Sequence, residues 1–230
     1  MGNIEGKLQE VKARIASACH EAGRNVQGVQ LLAVSKTFEA ASVRLGVAAG
    51  QRAFGENYVQ EALEKIAALS DLRAQIEWHL IGPLQSNKTR AVAEAFDWVH
   101  SVDRLKTAQR LAEQRPAQMA PLQLCLQVNI SGEASKSGVS LDELPALAVA
   151  VAALPRERVR LRGLMSIPEP AATLAEQRKP HRRLRELQQQ LNAHGLGLDT
   201  LSMGMSADLE AAVLEGSTLL RVGTALFGAR

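Results

Sequence analysis

The chain has 230 residues, 46% hydrophobic and 3% aromatic, enough for one domain cored by leucine, valine and alanine. A net charge of +3 and a pI near 9.1 are too mild to mark a nucleic-acid binder, and the arginine groups carry no interleaved aromatics for stacking on bases. No apolar run approaches membrane-span length, and Cys19 and Cys125, without CxxC or Cys/His spacing, read as small buried hydrophobes in a reducing, cytoplasmic compartment.

The N-terminus opens with an amphipathic helix rather than a leader: Ile4, Leu8, Val11, Ile15 and Cys19 recur at helical spacing among charged residues. Met1-Gly2 begins like a myristoylation signal, but Gly6 stands where Ser or Thr is needed. Beyond this helix, predicted over 4–22, strands are expected at 29–35, 52–55, 76–82, 98–102, 122–130, 159–167, 200–203 and 219–223. Helical patterns fill the gaps at 40–49, 58–69, 88–95, 104–114, 141–153, 174–193 and 208–214. Arg178, Lys179, Arg182, Arg183 and Arg185 read as the wet face of the 174–193 helix. Strands alternating with helices in this way predict a single (β/α)8 barrel domain spanning residues 1–230, with an open doubly wound sheet as the alternative.

The first strand, Leu31-Leu32-Ala33-Val34, runs into Ser35-Lys36-Thr37, which places Lys36 at a strand's carboxyl end, where barrels carry their chemistry. A desolvated amine there loses charge and becomes a nucleophile fit for a Schiff base, although a lysine just past a strand end is also an ordinary surface residue. Later strand ends bring Asn57, His79, Met165, and then Ser202-Met203-Gly204-Met205-Ser206 and Arg221-Val222-Gly223-Thr224 to the same face. The last two loops combine glycines with hydroxyls, and the N-terminus of the 208–214 helix lies near Ser206; such loops cradle phosphate or form plain turns. A phosphate cradle opposite a Schiff-base lysine suggests pyridoxal phosphate. Arg221, the sole charge in its strand, points to a pyridine nitrogen, or is buried against a carboxylate such as Asp199 or Glu215.

The sequence resembles the pyridoxal phosphate homeostasis protein family, related to the amino-terminal barrel of alanine racemase. The resemblance rests on Ala33-Val34-Ser35-Lys36-Thr37, Phe54-Gly55-Glu56-Asn57-Tyr58-Val59-Gln60-Glu61, and Trp78-His79 through Lys88. It continues with Gln127-Val128-Asn129-Ile130-Ser131, Ser135-Lys136-Ser137-Gly138 and Arg162-Gly163-Leu164-Met165, and ends with Leu201 to Ser206 and Arg221 to Gly228. It implies pyridoxal 5'-phosphate as an aldimine on Lys36. The phosphate would be held around Ser202, Ser206, Gly223 and Thr224, with Met203 and Gly204 also cofactor-binding, Arg221 toward the ring nitrogen and Asn57, His79 and Met165 lining the ring. One departure is local: no proline follows Lys36-Thr37 in Phe38-Glu39-Ala40, which touches the start of the next helix.

The family implies a non-catalytic carrier that supplies apo-enzymes; an amino acid racemase is the alternative. A racemase needs an acid–base group on each face of the substrate. The only tyrosine, Tyr58, reads as helix–barrel packing, and His79 reads as a hydrogen-bonded liner. The five histidines lack metal spacing, and no dinucleotide, Walker or nucleophile-elbow motif is complete. A monomer without nucleic-acid or membrane partners is expected, and Lys136 is a candidate to hold cofactor briefly during release.

Overall fold

The computed structural model describes residues 4–133 and 137–228; Lys136, the candidate to hold cofactor during release, lies outside the described residues with Ser135. The strands are β1 (Gln30–Val34), β2 (Ala53–Glu56), β3 (Glu77–Leu80), β4 (Trp98–Val102), β5 (Leu122–Gln127), β6 (Val159–Met165), β7 (Thr200–Ser202) and β8 (Leu219–Val222). They close in sequence order into a barrel, and every neighbouring pair is parallel, including β1 with β8. The barrel expectation holds and the open sheet is excluded.

Alternation along each strand divides the core into two layers. On β1, Leu31 and Ala33 face outward into the main core, while Leu32 faces the barrel interior with Ala53 of β2 and Leu219 of β8. A second interior cluster joins Trp98, Cys125 and Met165. Outside the barrel lie α2 (Ala40–Ala48), α3 (Val59–Ala68), α4 (Thr89–Ala95), α5 (Leu105–Gln114), α6 (Leu144–Ala152), α7 (Leu174–Ala193) and α8 (Leu209–Leu214). The opening helix, α1 (Ile4–Glu21), buries Leu8, Val11, Ile15, Ala18 and Cys19 as its periodicity predicted. Arg14 pins it to α8 through a bidentate pair with Glu210. Among the described residues no helix is long and apolar enough to cross a membrane.

Most predicted boundaries differ from the observed ones by a residue or two. The helix expected over 141–153 starts only at Leu144, with Pro145 in its first turn, where a missing N–H removes no helical bond. A short α9 (Thr224–Phe227), absent from the sequence reading, follows β8. Tyr58 is a correction: it stands at the N-cap position of α3 and is 57% exposed, so it is not a buried helix–barrel contact. The arginines of α7 are another. Arg178, Arg182 and Arg185 reach Glu215, which is 1% exposed, at 2.6, 3.0 and 2.9 Å, so part of that wet face is tied to the core.

Candidate functional site

Lys36 leaves β1 half-buried at the carboxyl end of the barrel. Its loop turns sharply: the Phe38 amide donates to the Ser35 carbonyl at 3.1 Å, and Thr37 takes φ 64. The β1–β8 register pairs Leu32 with Arg221 and Ala33 with Val222, so Lys36 and Thr224 emerge from adjacent strands at the same end. Gly223 belongs there for a packing reason. A Cβ on it would stand 3.2 Å from the Val34 carbonyl oxygen, tightening the contact between the two strands that carry Lys36 and Arg221.

Arg221 is 4% exposed and points inward. Its Nη1 donates to the Ser202 carbonyl at 2.6 Å and to Ser202 Oγ at 2.8 Å, and its Nη2 donates to the Ser166 carbonyl at 2.8 Å. Neither carboxylate named in the sequence reading neutralises it: Asp199 pairs with Arg162, and Glu215 with the α7 arginines. Burial pushes its pKa down to about 10, so the guanidinium remains a cation at neutral pH. Beside it, the buried Ser166 Oγ has no hydrogen-bond partner among the described residues.

From Ser202 a polar chain crosses the barrel interior. Ser202 Oγ lies 2.8 Å from His100 Nδ1, His100 Nε2 lies 2.9 Å from His79 Nδ1, and His79 Nε2 lies 2.7 Å from Glu77 Oε1. Arg221 can only donate and an ionised Glu77 can only accept, so the chain has a fixed donor at one end and a fixed acceptor at the other. His79 also stacks on Trp98, with ring centroids 5.4 Å apart. Both of its nitrogens are engaged in hydrogen bonds. His100 was not singled out from the sequence, because its partner Ser202 is 102 residues away.

The remaining residues divide. Met165 is fully buried against Trp98 and Cys125 inside the barrel, and burial pushes the Cys125 thiol up to about 12. Asn57 is half-buried beyond β2, held by close backbone contact with Gly82: a Cβ there would lie 2.2 Å from the Asn57 carbonyl oxygen. With Ile81, Pro83 and Asn129 it lines a cavity of about 310 Å³ on the Lys36 face. Met203 turns away, into the outer core, so only its backbone borders the site. Gly204 takes φ +93 and presses on Ala212 and Leu220, where a Cβ would meet them at 2.4 and 2.7 Å. Ser206 is half-buried in the turn before α8, and Thr224 is exposed as the first residue of α9; the first N–H groups of a helix lack intrahelical acceptors.

These residues fit pyridoxal phosphate. An amine, an inward guanidinium, an unpartnered buried hydroxyl and two hydroxyl-bearing turns stand at one end of the barrel. Ser202 is the exception to the implied phosphate set, because its Oγ is already engaged by Arg221 and His100. A second cavity, about 770 Å³, opens at the opposite end among Arg52, Arg73, Arg115, Arg160 and Arg162, several of them paired to Asp97, Asp199 or backbone carbonyls.

Comparison with known proteins agrees with this geometry. The family described as "Alanine racemase, N-terminal domain" matches residues 7–230. The chain is 63% identical to the pyridoxal phosphate homeostasis protein of Pseudomonas aeruginosa over 100% of its own length and 97% of the relative's. It is 50% identical to that of Escherichia coli, covering 100% and 98%. Among solved structures, PipY of Synechococcus elongatus with PLP bound superposes with a TM-score of 0.85 at 40% identity, covering 98% of this chain and 100% of that one. Alanine racemase from Corynebacterium glutamicum, at 18% identity and TM-score 0.68, shares the fold, with 62% of its length covered. With its closed barrel, its Lys36–Arg221 strand pair and full-length identity to these relatives, the chain belongs to the pyridoxal phosphate homeostasis protein family.

Proposed function

We propose that this protein holds pyridoxal 5'-phosphate at the carboxyl mouth of the barrel, covalently on Lys36, and serves as a non-catalytic carrier for apo-enzymes. The observation that carries it is Lys36 beside β8, whose Arg221 is buried, cationic and bonded to backbone and serine oxygens rather than to a carboxylate. Bound cofactor supplies an aldehyde to an amine and an electron-poor ring. Lys36 is the attachment point, and Arg221, with Ser166 Oγ, faces the ring-nitrogen side. Ser206, Gly223 and Thr224 hold the phosphate, with Ser202 acting through Arg221. Asn57 and Met165 border the ring.

Arg221 donates only, so it leaves the ring nitrogen without a proton and weakens electron withdrawal, which favours holding over carbanion chemistry. The racemase alternative needs a second base. Tyr58 is 57% exposed at the N-cap of α3 with no capping bond, His79 is fully buried with both nitrogens bonded, and the Cys125 thiol is held protonated. These placements support the carrier.

Purified protein mixed with pyridoxal phosphate is expected to gain a visible band and, after borohydride, a stable pyridoxyl adduct that peptide mapping locates on Lys36. Lys36→Ala should lose both. Single-enantiomer alanine should keep its configuration with the loaded protein. No band in the parent would reject the cofactor, and racemised alanine would reject the carrier.

A further inference from the structure

The tripeptide Ser35-Lys36-Thr37 is gripped from outside the barrel by side chains with no assigned role. Lys65, on α3, is 5% exposed, and its Nζ donates to the Ser35 carbonyl at 2.7 Å, to Glu56 Oε1 at 2.8 Å and to Glu61 Oε1 at 2.6 Å. An ammonium has three donors, and all three are engaged. Ser35 Oγ donates to the same Glu56 oxygen at 2.6 Å, and the Thr37 amide donates to Glu61 Oε1. The peptide is therefore held on both sides of Lys36 by one connected set of groups.

This set is costly for the fold. Glu56 is fully buried, and its Oε2 has no partner among the described residues. Burial raises its pKa despite the lysine beside it. Buried ion pairs are poor stabilisers, because desolvation offsets the attraction. Thr37 adds strain: at φ 64 it occupies the third position of a turn, which usually takes glycine, and its β-branched side chain disfavours that conformation. Strained backbone and an imperfect buried pair around one residue point to a requirement for that residue's position.

We propose that Lys65, Glu56 and Glu61 form a clamp that fixes the Ser35–Thr37 turn and so aims the Lys36 amine into the barrel mouth. They are positioning residues acting through Lys36. The inference rests on Lys36 as the attachment point. Its consequence is kinetic: a released turn lets Thr37 relax from the left-handed region, and Lys36 then meets the cofactor in many orientations.

The test uses the full chain with three substitutions. Glu61→Ala removes the acceptor for the Thr37 amide, Glu61→Gln keeps an oxygen there, and Lys65→Met removes the hub. In the cofactor-free proteins, NMR hydrogen exchange at the Thr37 amide is expected to quicken at least tenfold in Glu61→Ala and Lys65→Met. The rate at which added pyridoxal phosphate develops its visible band should fall by a similar factor. Glu61→Gln should recover most of both, which a loss of general stability would not do. Glu61 is on the surface side of the clamp, so its variants report even if Lys65→Met does not fold. Parental exchange and parental loading in Glu61→Ala would overturn the clamp. If the parent attaches no cofactor at Lys36, the function reading falls, and unchanged Thr37 exchange still decides against the clamp.

Discussion

His100 shows how one buried side chain ties the site to solution conditions. It is fully buried, and desolvation, with the charges of His79 and Arg221, holds its pKa well below the usual histidine value. In the unfolded chain it takes a proton near pH 6.5. Below that pH the unfolded state binds more protons than the native state, so stability is present above about pH 6.5 and is lost as pH falls. One such group contributes a slope of up to about 1.4 kcal/mol per pH unit. Thermal melts between pH 7.0 and 5.5 are expected to show this slope, and His100→Gln should flatten it by about one proton; equal slopes in parent and variant would reject the assignment. Asp199, Asp208, Glu210 and Glu215 are held below their ordinary values by hydrogen bonds to Arg162, His181, Arg14 and Arg182 acting against burial, so their contribution persists above the usual carboxylate range and fades only in more acid solution. Glu56, raised by burial, has the opposite sign and is common to parent and variant. At this scale Lys36, His79 and Arg221 stood out because each is a polar residue in or just after a largely apolar strand. Glu56, Lys65 and His100 were not assigned, since a partnership becomes visible only when separate strands and helices meet.

The strands show what a residue pattern does and does not reveal about an element. Strand β1 is apolar on both faces and was readable as a strand buried between layers. In β6, Arg160 and Arg162 interrupt the run, and the pairing with β5 shifts register between Leu124 and Cys125, a local irregularity that residue alternation does not announce. Gly163 follows that shift. A Cβ there would lie 1.7 Å from the Thr200 carbonyl oxygen, so only glycine lets β6 and β7 pair. Gly163→Ala is expected to cost about 3 kcal/mol, the upper end for overpacking, and to lower the melting temperature by on the order of 10 °C. Gly28→Ala, where a Cβ meets nothing within 4 Å, is the matched control and should melt close to the parent. Similar melting for both variants would show that β6 and β7 can separate without loss. Arg178, Arg182 and Arg185 make the related point for helices: a charge run reads as solvated until Glu215, on the connection between α8 and β8, turns part of it into an anchor.

On the scale of the whole molecule, alternation of strands and helices was enough to read a barrel, since a parallel sheet of this length with both faces covered has few other ways to end. The cavity of about 770 Å³ opposite Lys36 was not readable, because arginines from four separate segments build it. Closure itself was an inference from count, and the β1–β8 pairing confirms it. That pairing has a consequence for synthesis. Of the eight barrel strands, β1, which leads into Lys36, leaves the ribosome before the others, and its neighbour β8 with Arg221 leaves after them. A nascent chain halted before residue 219 carries the lysine with no wall on one side and two unpaired sheet edges, a state prone to misassociation. Ribosome-bound chains stalled there are expected to capture no pyridoxal phosphate, while chains extended by a linker beyond residue 228 should load as the free protein does; equal capture by both would mean that β8 is dispensable. Cofactor uptake is thus expected to depend on barrel closure, because the wall beside Lys36 exists only once β8 has paired with β1 and β7.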